Sequence, residues 1–148
     1  MMFSLAKGRP VVDTGTAETV GKVKGFLIDP SRRSIVALEL RKTDKGRLLR
    51  WSDITAFGTE AVTIADAGTI TDTDAALDAL RGKAHALVKK RVLSTRGDTL
   101  GIIGDVDFDP DSGRLNSLLL NDAEDIAAKR LVGIGSYAVV VEAAQSDA

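Results

Sequence analysis

Apolar residues come in short runs along this chain, separated by turn-forming clusters, which is the rhythm of strands rather than helices. Val23 to Asp29 and Ser34 to Leu40 are rich in Val, Ile, Leu and Phe, and each predicts one strand. Asp105-Val106-Asp107-Phe108-Asp109 alternates acidic and apolar residues. Successive side chains of a strand point to opposite faces, so this alternation predicts Val106 and Phe108 toward a core and the carboxylates toward water. Asp109-Pro110-Asp111-Ser112-Gly113 then reads as a turn: Asp caps its own backbone, Pro presets φ, and Gly accepts positive φ. Arg47 to Trp51 predicts a further short strand, and the segments after Gly58 and Gly135 each predict another. One stretch breaks the rhythm. Thr71 to Gly82 opens on an N-cap candidate at Thr71 or Thr73, runs through Ala and Leu, and stops at a Gly, which predicts a short connecting helix or helical turn. Asp122 to Lys129 predicts a second helical turn.

The pattern occurs twice. With Gly21 set over Gly101, a shift of 80, Thr19 meets Thr99, Ile28 meets Phe108, Asp29-Pro30 meets Asp109-Pro110, and Leu38 and Leu40 meet Leu118 and Leu120. With a shift of 77, Gly58 to Ile64 meets Gly135 to Val141, so the second unit is three residues shorter in its middle. Agreement in order, at nearly one offset, makes each half one structural unit. Several short strands with regular turns predict a small barrel for each, an arrangement that also removes sheet edges.

Composition narrows what such units can be. The 148 residues are 44% hydrophobic and only 4% aromatic, so the core rests on aliphatic side chains. A half of about 70 residues has a marginal core alone, which predicts halves that pack together or a homodimer. There is no cysteine, which excludes disulfides, thiolate metal sites and thiol nucleophiles. The apolar part of Met1 to Arg9 is too short for a signal peptide, and no run reaches the about 20 apolar residues of a membrane-spanning helix, so the expected address is cytoplasmic. The net charge of −1 disfavours broad nucleic-acid binding. The halves differ: residues 1–70 carry 11 Lys/Arg against 8 Asp/Glu, and residues 71–148 carry 9 against 13.

Taken in order, these elements resemble the PRC-barrel family, named for the cytoplasmic domain of the photosynthetic reaction-centre H subunit. The resemblance rests on Gly21-Lys22-Val23 with Asp29-Pro30, on Leu100-Gly101 with Asp109-Pro110 and Gly113, on Trp51-Ser52-Asp53-Ile54, and on the Gly-x-x-Ala-Val segments at 58–62 and 135–139. It implies an all-β fold of two tandem six-stranded barrels joined by a short helical linker: a first barrel over 1–70, a linker over 71–83, a second barrel over 84–143, and a frayed tail over 144–148. It also implies docking and assembly rather than catalysis, and it carries no functional residue onto a position here. The second unit departs from the pattern, offering Arg130-Leu131-Val132 where the first has Trp-Ser-Asp-Ile.

Candidate chemistry is sparse. Asp105, Asp107, Asp109 and Asp111 with Gly113 superficially resemble a Ca²⁺ loop, but the sixth position is Pro110 and the twelfth is Asn116, where such a loop needs Gly and a bidentate acid. These aspartates fit a solvated strand face and a turn cap, so no metal and no cofactor is expected. His85 stands alone, too little for a metal site or an acid–base pair. Lys89-Lys90-Arg91 reads as a solvated strand start, and Gly101-Ile102-Ile103-Gly104 lacks the Lys-Ser/Thr of a phosphate loop. Arg32, Arg33, Arg41, Lys42, Lys45, Arg47 and Arg50 form a basic stretch beside Trp51. Arg32, Arg33, Arg41, Lys42 and Trp51 are therefore the candidates for partner contact. The expected function is a non-enzymatic protein-interaction adaptor; the alternative is an RNA- or ribosome-associated module using this basic hairpin, as ribosome-maturation factors contain related barrels.

Overall fold

A computed structural model describes residues 1–41, 43, 46–72, 74–80 and 86–143. The fold is all-β, two six-stranded sheets on one plan. The first contains β1 (Pro10–Asp13), β2 (Glu18–Asp29), β3 (Ser34–Arg41), β4 (Leu48–Arg50), β5 (Ile54–Phe57) and β6 (Val62–Ile64), in the order 4-3-2-1-6-5. The second contains β7 (Arg91–Ser94), β8 (Thr99–Phe108), β9 (Leu115–Leu120), β10 (Ile126–Ala127), β11 (Leu131–Ile134) and β12 (Val139–Val141), in the equivalent order 10-9-8-7-12-11. All pairs are antiparallel except β1–β6 and β7–β12. The outermost strands of each sheet, β4 and β5 or β10 and β11, are consecutive in the chain. A three-residue 3₁₀ turn joins them, at Trp51–Asp53 and at Ala128–Arg130, so both ends of each sheet meet at one corner.

The repeat extends to irregularities. β2 is interrupted between Val23 and Gly25 and between Leu27 and Ile28, and β8 at the equivalent points, between Ile103 and Asp105 and between Asp107 and Phe108. Bulges of this kind bend a long strand, which lets β2 and β8 each pair along two directions of a curved sheet. The β2–β3 and β8–β9 turns follow the sequence expectation. Asp29 and Asp109 accept the backbone N–H two residues on, at 3.0 and 2.8 Å. The turns close on positive-φ residues, Arg33 at +53° and Gly113 at +78°.

Val11, Val23, Leu38, Val62 and Ile64 of the first sheet and Val92, Ile103, Leu118, Val139 and Val141 of the second occupy equivalent core positions in one continuous buried cluster. Phe108 lies fully buried within it, against Phe3, Phe26, Trp51 and Phe57, with ring centroids 5.5–6.3 Å away.

Three points differ from expectation. The connecting helix is a single turn, α2 (Ala75–Asp78), capped by Asp74, whose carboxylate accepts from the N–H groups of Ala76 and Leu77. Thr71 instead extends the first sheet by bonding Leu48, and Thr73 and residues 81–85 lie outside the described residues. The helical turn foreseen over 122–129 is the strand β10 followed by the 3₁₀ turn at Ala128–Arg130. That turn sits 77 residues after Trp51-Ser52-Asp53, so the second unit keeps the corner and replaces its Trp by Ala128. A short helix that the pattern did not predict, α1 (Phe3–Ala6), crosses from the first unit onto β8 of the second.

Candidate functional site

The two units meet along a pseudo-twofold seam. Ser34 and Arg114, equivalent at the shift of 80, form an antiparallel bridge. Ile35 donates its N–H to Gly113 O at 2.8 Å, and Leu115 donates to Arg33 O at 2.9 Å, each bond the mirror of the other under the repeat. Such contact has the geometry of an isologous dimer interface held within one chain.

Side chains break the symmetry. Where the second unit's turn meets the first unit's corner, Gly113 lies flat under Trp51; a Cβ there would stand 2.9 Å from Trp51 Cε2. Where the first unit's turn meets the second unit's corner, the large residue is in the turn and the small one in the corner. Arg33 reaches over, its Nε donating to Leu131 O at 3.0 Å, and Ala128 is fully buried. At the equivalent positions the bulky and the small residue are thus exchanged between turn and corner.

This seam occupies two of the residues singled out for partner contact, since Arg33 and Trp51 are half-buried in it. Arg32 is exposed and lies 3.7 Å from Asp29, and Arg41 is exposed. Lys42, Lys45, His85 and the tail over 144–148 lie outside the described residues. Acids that follow in the chain meet the rest of the basic stretch: Arg47 stands 3.7 Å from Asp72, and Arg50 pairs with Asp74.

The aspartates of 105–109 do not share a site. Asp105 accepts from the Ser4 N–H at 3.1 Å and from the Ser4 hydroxyl. Asp107 accepts from the amino group of Met1 at 2.8 Å and from Asn116, and the amino group holds its carboxyl below the ordinary range. Asp109 caps the turn. Among the described residues no three His, Cys, Asp or Glu side chains converge as metal ligands do. The strand face foreseen as open to water is instead where α1 docks.

Two buried polar residues escaped the sequence reading, and they are equivalent. Asp13 at the end of β1 accepts from the N–H groups of Gly15, Thr16 and Ala67 at 2.7, 3.3 and 3.0 Å. Those bonds, the one from Ala67 foremost, hold its carboxyl below 3.8. Ser94 at the end of β7 accepts from Arg96 and Asp98 at 3.2 and 3.4 Å. Both act as turn caps.

A cleft of about 510 Å³ opens at the junction between the units, floored by Phe3, Phe26, Leu27 and Leu87. Among its charged groups Lys24 pairs with Glu39 at 3.1 Å and Asp105 is held by Ser4. Leu80 and Ala86 also line it.

The largest difference between the units lies on their outer faces. Tyr137, Val132 and Ile102 are 70%, 50% and 48% exposed. Their equivalents in the first unit are Glu60, Thr55 and Lys22. Val140 and Leu93, cross-strand neighbours on the same face, replace Thr63 and Val12. Arg91 lies opposite Ile102 in register, where the first unit pairs Pro10 with Lys22. No described helix is long and apolar enough to cross a membrane. No protein-family model matches the chain, and no curated protein matches it.

Proposed function

We propose that this chain is a non-catalytic protein-interaction adaptor made of two PRC-type barrels, each sheet closing at its 3₁₀ corner, with the segment around α2 as the connector. The observation that carries the reading is the contrast between the outer faces. The second unit exposes Ile102, Val132 and Tyr137 to solvent, and the first unit has Lys, Thr and Glu there. A contiguous exposed apolar face marks an interaction surface more often than a chance of composition. The polar groups point the same way: Asp13, Ser94, Asp105, Asp107 and Asp109 are spent on turns and on the docking of α1. The acidic partners of Arg47 and Arg50 weaken the case for the basic hairpin as an RNA site. The marginal half-cores that argued for a homodimer are joined here within one chain, so no dimer is built into this reading.

The test is affinity capture on the tagged full chain at about 100 mM salt, with and without nuclease. A discrete protein retained in stoichiometric amount after nuclease is the expected result. Recovery of RNA alone, lost on nuclease treatment, would replace this reading with the nucleic-acid one.

A further inference from the structure

We propose that the outer face of the second sheet is a docking surface for a protein segment that is apolar and carries a carboxylate. This inference rests on the adaptor reading and names the site and the chemistry of its partner.

The face is continuous across four strands. Val132 stands at the bulge of β11, between Leu131 and Gly133, and Gly133 pairs with Val140 of β12. Val140 pairs with Leu93 of β7. Arg91 shares the face of Leu93 two residues away and pairs with Ile102 of β8. Tyr137 closes the group: its hydroxyl oxygen accepts from Arg91 Nη1 at 3.0 Å, and the guanidinium stands 5.5 Å from its ring centroid. At the first unit's equivalents of Leu93, Ile102, Val132, Tyr137 and Val140 only Val12 is apolar, so the shared fold does not require this surface.

Arg91 decides the partner's chemistry. It is the one cation among these six residues, it is exposed, and no carboxylate pairs with it among the described residues. Tyr137 braces the guanidinium while leaving further N–H donors free, since arginine has five. A fixed arginine beside Tyr and aliphatic groups has the composition of an interface hot spot, and its natural complement is a carboxylate. A second copy fits poorly, because isologous pairing sets the same patch against itself and none of these six residues is acidic. An anionic bilayer gains only about 1 kcal/mol from one cation. The face consists of outward side chains on paired strands, so recognition falls to side chains rather than to strand addition.

The experiment pans a phage-displayed random dodecapeptide library on the intact chain. The best enriched peptide is then synthesised and titrated against the parent, Arg91→Glu, Ile102→Lys and Tyr137→Glu. All three positions are exposed, and the folded state of each variant is checked by heteronuclear NMR. Enrichment of Asp or Glu flanked by Val, Leu, Ile or Phe is expected. Affinity should fall at least tenfold in Arg91→Glu and Ile102→Lys, and Arg91→Glu should itself enrich peptides with Lys or Arg. Enrichment with no acidic preference, no enrichment, or binding unchanged in Ile102→Lys would overturn the proposal. A dimer in solution that Ile102→Lys makes monomeric, or sedimentation with vesicles containing phosphatidylserine that it abolishes, would also overturn it, by assigning the face to a second copy or to a membrane. A discrete protein captured equally by the parent and Ile102→Lys would leave the adaptor reading standing and sink only this inference.

Discussion

The two halves of this chain agree in strand order, bulge positions, turn caps and core, and they differ at the seam and on the outer face. The contrast separates what the fold needs from what a surface is for. A buried aliphatic position, a bulge and a positive-φ turn residue are each constrained by the sheet itself. A side chain pointing outward from that sheet is not. The first unit fills its outward positions with Lys22, Thr55, Glu60 and Thr63, the solubilising pattern of an open face. The second fills them with Ile102, Val132, Tyr137 and Val140. At the seam the lesson is different: Arg33 with Ala128 and Trp51 with Gly113 distribute bulk in opposite senses. Two copies of the first unit would set Arg33 against Trp51, and two copies of the second would leave Gly113 facing Ala128. The seam therefore favours one unit of each kind.

The comparison is tested most severely at Phe108 and its equivalent Ile28, both fully buried. Phe108→Ala should cost about 3–5 kcal/mol, because it removes the ring on which four others converge. Ile28→Ala should cost less, within the about 2–5 kcal/mol of a buried aliphatic truncation. Urea denaturation compares the two, and equal losses would show that the aromatic cluster adds nothing to the second unit. Next is Gly113→Ala, which forces a Cβ into the left-handed region at a cost of about 1–2 kcal/mol and against the Trp51 ring besides. Adding Trp51→Ala should relieve the steric part, so the double variant loses less than the sum of the singles. Simple additivity would mean that the ring does not rest on that glycine.

The two buried caps come third. Ser94→Ala should cost about 1 kcal/mol for its lost bonds. Asp13→Ala should cost more, since it strands three N–H groups rather than two. The folded-state pKa of Asp13 is depressed, so its contribution is present above 3.8 and is lost as pH falls through the lower folded value. The urea midpoint of Asp13→Asn should therefore drop less than the parent's between about pH 5 and about pH 2. A parallel drop in both would remove Asp13 from the acid limb. The smallest effects belong to the outer face. Ile102→Lys and Val132→Thr, which restore first-unit residues, should change stability by no more than about 0.5 kcal/mol. A larger loss would mean that these residues hold the fold rather than await a partner.

Much of the fold was legible because it is written locally. Apolar runs predicted β2, β3, β4, β6 and β12, the acidic–apolar alternation predicted β8, and Asp-Pro marked both turns. The strands that were missed are short and depend on distant partners. Pro10-Val11-Val12-Asp13 carries little signal in four residues, and it becomes β1 by pairing in parallel with Val62 to Ile64. The Ala128 corner was missed because it lacks the Trp that marks its counterpart. The basic stretch looked like a site because Asp72 and Asp74, which meet it in space, fall beyond it in the chain. The Asp105-Asp107-Asp109 face looked solvated because its ligands, Met1 and Ser4, lie about a hundred residues away.

By itself the sequence determined that this protein is all-β, built twice on one pattern, with an Asp-Pro turn in each unit. Backbone sterics and side-chain alternation act between near neighbours, so they leave a readable trace. Only the tertiary structure decided which repeated positions are hidden in the seam and which face solvent. That choice is made by contacts far apart in the chain, as between Arg33 and Leu131 or Gly113 and Trp51. A buried Val and an outward Val are the same letter in the same period until the second sheet is in place beside the first.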